Sequence, residues 1–527
     1  MITQDRLLSK AAKEFPDKYA LSYFKHRLTY SELDSISDSI ASQLSEYVRK
    51  GDTVAILLQN IPQFVMVQHA VWKLGCTLLP INPSYSPREI RYCLSDSNAK
   101  LAITQADALD RVLEASKGLK NKVISTNPTT FSDIPAQLFE KWGFKEGSEE
   151  LDFNSKDKRF YQSSKPDDTA LLVYTSGTTG NPKGAIILHR NIFASARIYR
   201  EWFRFSIDDR ILGFAPFFHI TGLVFHLATA LLSGSCVVMG GRFDSNLVLE
   251  TIQNNRTTLT MLAATAYTSL LDNPSVHNTD MSSMRLWSSG GMPVARKLEE
   301  SWRELTNSWI YVAWGLTETT SPATLWPYPY DGPLPIDEET GIVSSGIPVY
   351  DTLVKIENED GIELPEGDAG EIAVKGPQVI SGYLNKPEES KKTFHEGWLY
   401  TGDIARIKGG WVYIIDRKKD LINSSGFKIW PREVEEVLYL HPCISEAAVV
   451  GVQDSYRGEA VKAFIKLKDE CKSAITEKEI EMHCRKFLAP YKVPRQVEFL
   501  EEIPKTQSGK LLKRVLRDGT YRIQTKS

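Results

Sequence analysis

Along the first two hundred residues, apolar segments of strand length alternate with apolar stripes of helical period. That alternation restricts the chain to mainly parallel sheets covered by helices. Thr29 and Glu32 make a capping-box pair ahead of Leu33, Ile36, Ile40 and Leu44, which share one helix face. The pattern then predicts a strand from Thr53 to Leu58, a helix around Phe64 to Leu74 and a strand from Thr77 to Ile81. A helix from Arg88 and a strand from Leu101 to Thr104 follow. Ala170 to Val173 and Gly184 to Leu188 read as further strands, and the helix after Asn191 sets Ala194, Ile198 and Trp202 on one side. No internal repeat interrupts this series. The charged, Ser/Asn-rich stretch from Lys141 to Asp168 reads as an irregular surface connection.

Between those last two strands lies Tyr174-Thr175-Ser176-Gly177-Thr178-Thr179-Gly180-Asn181-Pro182-Lys183-Gly184, with five hydroxyl side chains and three glycines in eleven residues. Glycines let backbone N–H groups converge, the hydroxyls add donors, and Lys183 supplies a cation. This is the chemistry for holding a nucleoside triphosphate tail, although the spacing is not that of a Walker loop. A Thr/Gly-rich surface turn is the competing reading of the segment taken alone.

The chain has 527 residues, 42% of them hydrophobic and 24% charged, enough for more than one domain with ample cores. A net charge near −3 without a recurring basic stripe argues against nucleic acid as a partner. Cys76, Cys93, Cys236, Cys443, Cys471 and Cys484 are scattered, with no Cys-x-x-Cys pair. They are expected to be reduced core residues of a cytoplasmic protein. The N-terminus lacks the apolar run of a signal peptide, and Thr525-Lys526-Ser527 is not a peroxisomal address. The longest apolar region, Leu223 to Met239, is broken by His226, Ser233, Gly234 and Ser235 and makes a poor membrane span. Peripheral membrane contact stays open, as does the choice between monomer and homodimer.

Further pieces follow the phosphate-loop candidate in order: Ser289-Gly290-Gly291, Trp314-Gly315-Leu316-Thr317-Glu318, and Tyr400-Thr401-Gly402-Asp403. Then come Asp416-Arg417-Lys418-Lys419-Asp420 with Ser425-Gly426-Phe427 and Pro431-Arg432-Glu433, and finally Pro504-Lys505-Thr506-Gln507-Ser508-Gly509-Lys510. Together they resemble the adenylate-forming superfamily of acyl- and aryl-CoA synthetases, luciferases and amino-acid-adenylating domains, over essentially the whole chain. The run from Asp416 to Glu433 is most similar to fatty-acyl-CoA synthetases.

The resemblance implies an α/β fold with a large N-terminal ATP- and acyl-binding domain, residues 1–417. A small mobile α+β cap, residues 418–527, would turn about a hinge near Lys419. Within the cap, strands are expected over 446–452, 460–467 and 496–500, with a helix over 477–488. It implies ATP, Mg2+ and CoA as cofactors or co-substrates and a small carboxylic acid as the substrate.

Thr175, Ser176, Gly177, Thr178, Thr179, Gly180 and Lys183 would face the β- and γ-phosphates, and Thr317 the α-phosphate. Glu318 would hold Mg2+ through oxygen ligands shared with phosphate. Gly290, Gly291, Met292 and Trp314 would flank adenine. The family more often has tyrosine at the last position, so Trp314 is read as keeping the aromatic face and losing the phenol. A buried core tryptophan is the alternative. Asp403 and Arg417 would hold the ribose.

Lys510 would bridge the substrate carboxylate and the α-phosphate during adenylation. Ser425, Gly426 and Phe427 would approach the CoA arm, Gly426 being either a tunnel residue or a turn glycine. His219 and Leu223 are expected in the acyl pocket, with a satisfied core histidine as the other reading of His219. Acetate-specific relatives carry tryptophan where this chain has Gly315, which is therefore expected to leave the pocket open. The implied activity is ATP-dependent ligation of a medium- or long-chain fatty acid to CoA. An aryl or aryl-alkanoic acid, or loading of a carrier protein, stands as alternative.

Overall fold

The computed structural model describes residues 2–154, 164–175, 182–454, 456–471, 475–506 and 511–521. Among the described residues the strands assemble into four sheets. The first runs in the order Lys122–Thr126, Leu101–Gln105, Thr53–Leu57, Thr77–Pro80, Thr169–Thr175, Lys183–Leu188. Its pairs are parallel except the last, in which Thr175 faces Lys183 across an antiparallel hairpin. Every residue of the Thr53–Leu57 and Leu101–Gln105 strands is buried, as expected of parallel strands covered on both faces.

The second sheet is larger and has a parallel centre made of Ile310–Trp314, Leu286–Gly290, Leu259–Leu262, Arg210–Gly213, Cys236–Met239 and Tyr19–Tyr23. Antiparallel strands flank this centre at both edges.

Helix Pro62–Lys73 joins these two sheets. It starts with Pro62 at its first turn, where the missing N–H costs nothing, and it is buried on every side. Trp72 Nε1 donates to Ala170 O of the first sheet at 2.9 Å, while Phe64 packs edge-on against Phe217, just after a strand of the second. Thr29 and Glu32 form the capping box that the sequence predicts, and helix Tyr30–Leu44 follows.

The third sheet was not expected from the alternating pattern. It is antiparallel and consists of Leu353–Glu357, Gly370–Lys375, Phe394–His395, Trp398–Lys408 and Trp411–Arg417. The fourth, from Ile422 onward, pairs Ile444–Asp454 with Gly458–Leu467 and adds Gln496–Phe499 in parallel. It has its own core of Ile429, Val434, Leu438, Val449, Ala463, Ile465 and Ile480.

Two expectations are corrected here. The 141–168 stretch is not merely a surface connection: Trp142, Phe144, Leu151 and Phe153 are buried and anchor its described part to the body. The cysteines are not all reduced either. Cys443 and Cys471 form a disulfide, with their Cα atoms 5.6 Å apart, because they flank the same end of the paired strands beginning at Ile444 and ending at Leu467. Cys76, Cys93, Cys236 and Cys484 are free thiols.

Candidate active site

Parallel strands end with their loops on one side of a sheet, and ligands bind where those loops diverge. Gly290 pairs with Ala313 at the carboxyl ends of two such strands, so the loops carrying Gly291 and Trp314 to Glu318 emerge side by side. They open onto a cavity of about 1590 Å3 between the two large sheets and the third and fourth. Thr175, Lys183, His219, Gly290, Gly291, Trp314, Gly315, Thr317, Glu318, Arg417 and Lys419 all line it. Among the described residues nine Lys or Arg line this space against four Glu, in a chain of net charge −3. Such local positive excess in a concave site draws in polyanions.

Glu318 sits in a tight turn, Thr317–Thr319, that is heavily over-determined. Thr319 Oγ1 accepts from Leu316 N at 2.8 Å and lies 2.9 Å from Ser321 O, to which it can donate. Thr320 Oγ1 donates to Gln378 O at 2.7 Å, and Ile380 N donates to Glu318 O at 2.9 Å. Thr320 and Ser321 have φ of 49° and 96°, a left-handed excursion rare for non-glycine residues and rarer for a β-branched one. Strain of this kind persists only where surrounding bonds enforce it, and it clusters at functional sites. The Glu318 carboxylate accepts from the Tyr383 hydroxyl at 2.7 Å. Burial, and after it the neighbouring Glu318 charge, push the Tyr383 phenol well above its ordinary range, so it stays a donor. A carboxylate held this way fits a hard cation arriving with phosphate oxygens. Among the described residues no group of three His, Cys, Asp or Glu converges as a metal centre of its own.

The ribose candidate Asp403, buried next to the cavity-lining Gly402, is the cross-strand partner of Arg417 in the third sheet, with Arg417 Nε 3.3 Å from Asp403 Oδ1. The Trp314 indole N–H donates to the other oxygen, Oδ2, at 3.0 Å. The tryptophan has therefore not simply lost the polar group of the family's tyrosine, because its N–H orients the ribose candidate Asp403. Trp314→Phe keeps a flat face and removes that donor. KM for ATP is expected to rise about three- to tenfold in steady-state pyrophosphate release, with kcat changed by less than about twofold. An unchanged KM would show that the bond plays no part in nucleotide binding.

Part of the cavity wall is apolar, made of Phe214, Pro216, Ile220, Phe243, Met261 and Leu262. Buried Asn60 builds the loop that carries His219. Its amide donates to Gly213 O and Ala215 O at 3.1 and 2.8 Å and accepts from Phe217 N at 2.9 Å.

Leu223 does not line the cavity. Its N–H closes a turn onto His219 O, which leaves His219 and Thr221 facing the space and sends Leu223, 2% exposed, into the core. Gly315 does line it, but not as the open base of a slot. A Cβ on Gly315 would lie 1.5 Å from Ser321 O and 2.7 Å from Ser321 C, so the missing side chain makes room for the backbone of the strained turn. Met292 is also absent from the cavity lining and packs, half-buried, against the core.

Ser425 and Gly426, at φ 53° and 85°, form the two-residue turn of an exposed hairpin outside the cavity. Beside them Phe427 stacks on Tyr491 at 4.5 Å. Lys419 lies in the short turn between the third and fourth sheets. Ser176, Gly177, Thr178, Thr179, Gly180 and Lys510 lie outside the described residues. Residues missed in sequence are Asn60 and Tyr383. Neither belongs to a recognisable run, and each acts on a loop more than sixty residues away.

Comparison with known proteins agrees with this geometry. The AMP-binding enzyme family model matches residues 8–384, and the AMP-binding enzyme C-terminal domain model matches 433–510. The chain is 34% identical to a long-chain-fatty-acid–CoA ligase of Bacillus subtilis, over 98% of this chain and 94% of that protein. It is 33% identical to the 4-coumarate–CoA ligase CCL1 of Humulus lupulus, over 93% and 88%. The structure of o-succinylbenzoate CoA synthetase from Bacillus subtilis with its acyl-adenylate intermediate superposes with a TM-score of 0.81 at 32% identity. That match covers 98% of this chain and 99% of the other. With a cation-lined cavity at the strand ends and family matches across both parts, the chain belongs to the AMP-binding enzyme family and is an AMP-forming acyl-CoA synthetase.

Proposed function

We propose that the acid activated is a medium- or long-chain fatty acid. A carboxylate cannot expel oxide, so its attack on the ATP α-phosphate first makes an acyl-adenylate and releases pyrophosphate. The CoA thiol then displaces AMP. The observation that carries the substrate class is the apolar wall of Phe214, Ile220, Phe243 and Met261 that the cavity has beside its cationic groups. Its volume, about 1590 Å3, exceeds the 300–1,000 Å3 typical of a single-ligand pocket and suits two substrates at once. The fatty-acid name of the Bacillus subtilis relative supports the same reading.

In this reading Lys183, with Thr175 and the hydroxyls of 176–179, neutralises the β- and γ-phosphates, and Thr317 donates to the α-phosphate. Mg·ATP would be the substrate, and Glu318 would hold the metal, which offsets phosphate charge. Asp403 accepts from the ribose hydroxyls and Arg417 donates to the ribose, with Trp314 and the Gly290–Gly291 backbone beside adenine. Lys510 bridges the two reacting anions. Lys505 and Thr506, just upstream, line the cavity and support that placement. Such fixed charges aimed at a developing anion carry the largest share of many enzymatic accelerations. Residues 418–527 act as the cap, pivoting near Lys419 to carry Gly426 toward the thiol arm. We place the reaction in the cytoplasm, where ATP and CoA are supplied. Among the described residues no helix is long and apolar enough to cross a membrane.

The test is acid-dependent pyrophosphate release with acetate, hexanoate, decanoate, palmitate, benzoate and 4-coumarate, each with and without CoA. Catalytic efficiency rising from acetate to decanoate or palmitate, with CoA accelerating turnover, is the expected result. Preference for 4-coumarate or benzoate would replace the fatty acid by an aryl acid, the reading that the Humulus lupulus relative favours. Release that CoA fails to stimulate would point to a carrier-protein acceptor.

Gly426→Leu is expected to leave adenylate formation within about twofold while CoA-dependent turnover drops at least tenfold, because a side chain obstructs the thiol arm. Any L-residue at φ 85° also strains the turn, so Gly426→Asn, which tolerates that conformation, serves as the control. If Gly426→Leu turns over CoA normally, Gly426 is a turn glycine only.

A further inference from the structure

Lys183 and Glu318 bear opposite charges and both line the cavity, and among the described residues no ion pair joins them. One side chain stands with each of them. Tyr383 donates its hydroxyl to Glu318 Oε1 at 2.7 Å, and its ring centroid lies 5.0 Å from Lys183 Nζ, which sits over the ring face. The residue is only 8% exposed, and its ring also packs against Phe394 at 5.5 Å.

The backbone around it is tied to the same two elements. Tyr383 bridges Ala185, Leu384 N donates to Gly184 O at 2.8 Å and Ile186 N to Gly382 O at 3.2 Å, all on the strand that begins with Lys183. Ile380 N donates to Glu318 O at 2.9 Å, on the turn. The segment 380–384 is thus a clip between the hairpin bearing the phosphate cation and the turn bearing the carboxylate.

From this geometry we infer that Tyr383 is a positioning residue of the adenylation half-reaction. It engages the anion by its hydroxyl and the cation by its ring, and so keeps the two from collapsing onto each other before Mg·ATP arrives. The physical reason is the difference in what the two poles of a phenol offer. The O–H end is a donor suited to a carboxylate, and the π face carries the negative quadrupole that attracts an ammonium. Lys and Glu are long side chains with much rotamer freedom to lose, and in a cavity of reduced dielectric a direct pair would be the default. That pair would take the metal ligand and the phosphate cation out of use together. Fixing each on a different part of one buried ring leaves both directed into the cavity. The inference rests on the reading of Glu318 and Lys183 given above, and it adds the group that makes them usable.

Tyr383→Phe keeps the ring and removes the donor, Tyr383→Leu removes both, and Glu318→Gln is measured alongside. Three readouts are taken: acid-dependent ATP–pyrophosphate exchange as a function of free Mg2+, thioester formation from supplied acyl-adenylate and CoA, and melting temperature. Tyr383→Phe is expected to lower exchange roughly tenfold and to raise the Mg2+ concentration needed for half-maximal rate. Tyr383→Leu is expected to lower exchange about a hundredfold. In both, thioester formation should stay within about twofold of the parent, since that step uses neither the metal carboxylate nor the phosphate cation.

Equal losses in both half-reactions, or a lower melting temperature with an unshifted Mg2+ dependence, would reduce Tyr383 to a packing residue and overturn the inference. If Glu318→Gln is impaired and Tyr383→Phe is not, this inference alone fails. If Glu318→Gln itself leaves exchange and its Mg2+ dependence untouched, the assignment of Glu318 fails, and the role of Tyr383 with it.

Discussion

Gly315→Trp should inactivate the enzyme toward acetate and palmitate alike, and Gly315→Ala should already lower pyrophosphate release about a hundredfold. The sequence alone suggests another outcome, in which an indole fills the base of an open pocket and shifts preference to short acids. The geometry opposes that. A Cβ at this position would lie 1.5 Å from Ser321 O, and the first atom to yield would have to be backbone. That backbone has little freedom, since Thr319 Oγ1 meets the Ser321 carbonyl at 2.9 Å, the Ser321 hydroxyl pairs with Tyr199 at 2.8 Å, and Thr320 is tied to Gln378. Overpacking costs about 1–3 kcal/mol even in yielding cores. Here the displaced turn also carries Thr317 and Glu318, and a shift of about 1 Å in catalytic groups is enough for a loss of about a hundredfold. Retained turnover with a new preference for acetate would show that the turn gives way and that the indole does enter the acyl pocket.

Lys510→Ala should lower adenylate formation by about a hundred- to a thousandfold, while thioester formation from supplied acyl-adenylate stays within about threefold of the parent. The magnitude is that of removing one preorganised donor from a developing anion. The asymmetry follows from the proposed role, in which the lysine's charge offsets two anions meeting in the first transition state, whereas the second step loses AMP without that encounter. ATP–pyrophosphate exchange reads the first half-reaction, and CoA-dependent AMP release from the adenylate reads the second. Equal losses in both would remove Lys510 from its assigned role.

Much of this protein is written locally. The strands at 53–57, 77–80 and 101–105, the capping box at Thr29 and the helix after Asn191 follow from apolar period and short-range hydrogen bonds, which need no distant partner. The polar motifs around Lys183, Gly290, Glu318 and Asp403 are also short runs, so their chemistry is legible as spacing. Their convergence on one cavity adds no new residue type to that list.

What the sequence could not determine is direction and partnership. Leu223 and Met292 belong to recognisable motifs, yet the turn onto His219 and the packing of the core point them away from the site. The third sheet is antiparallel, its strands Trp398–Lys408 and Trp411–Arg417 turning back through two residues, which the early alternation does not foretell. Trp314 donates to an aspartate 89 residues away, and Tyr383 to a glutamate 65 residues away. Cys443 and Cys471 meet only because two strands end together. Composition, period and motif are properties of neighbours along the chain and can be read from it directly. Which side chain a carboxylate meets, and which way a glycine's absent Cβ would point, depend on strand pairing across long separations and emerge only once the chain is folded.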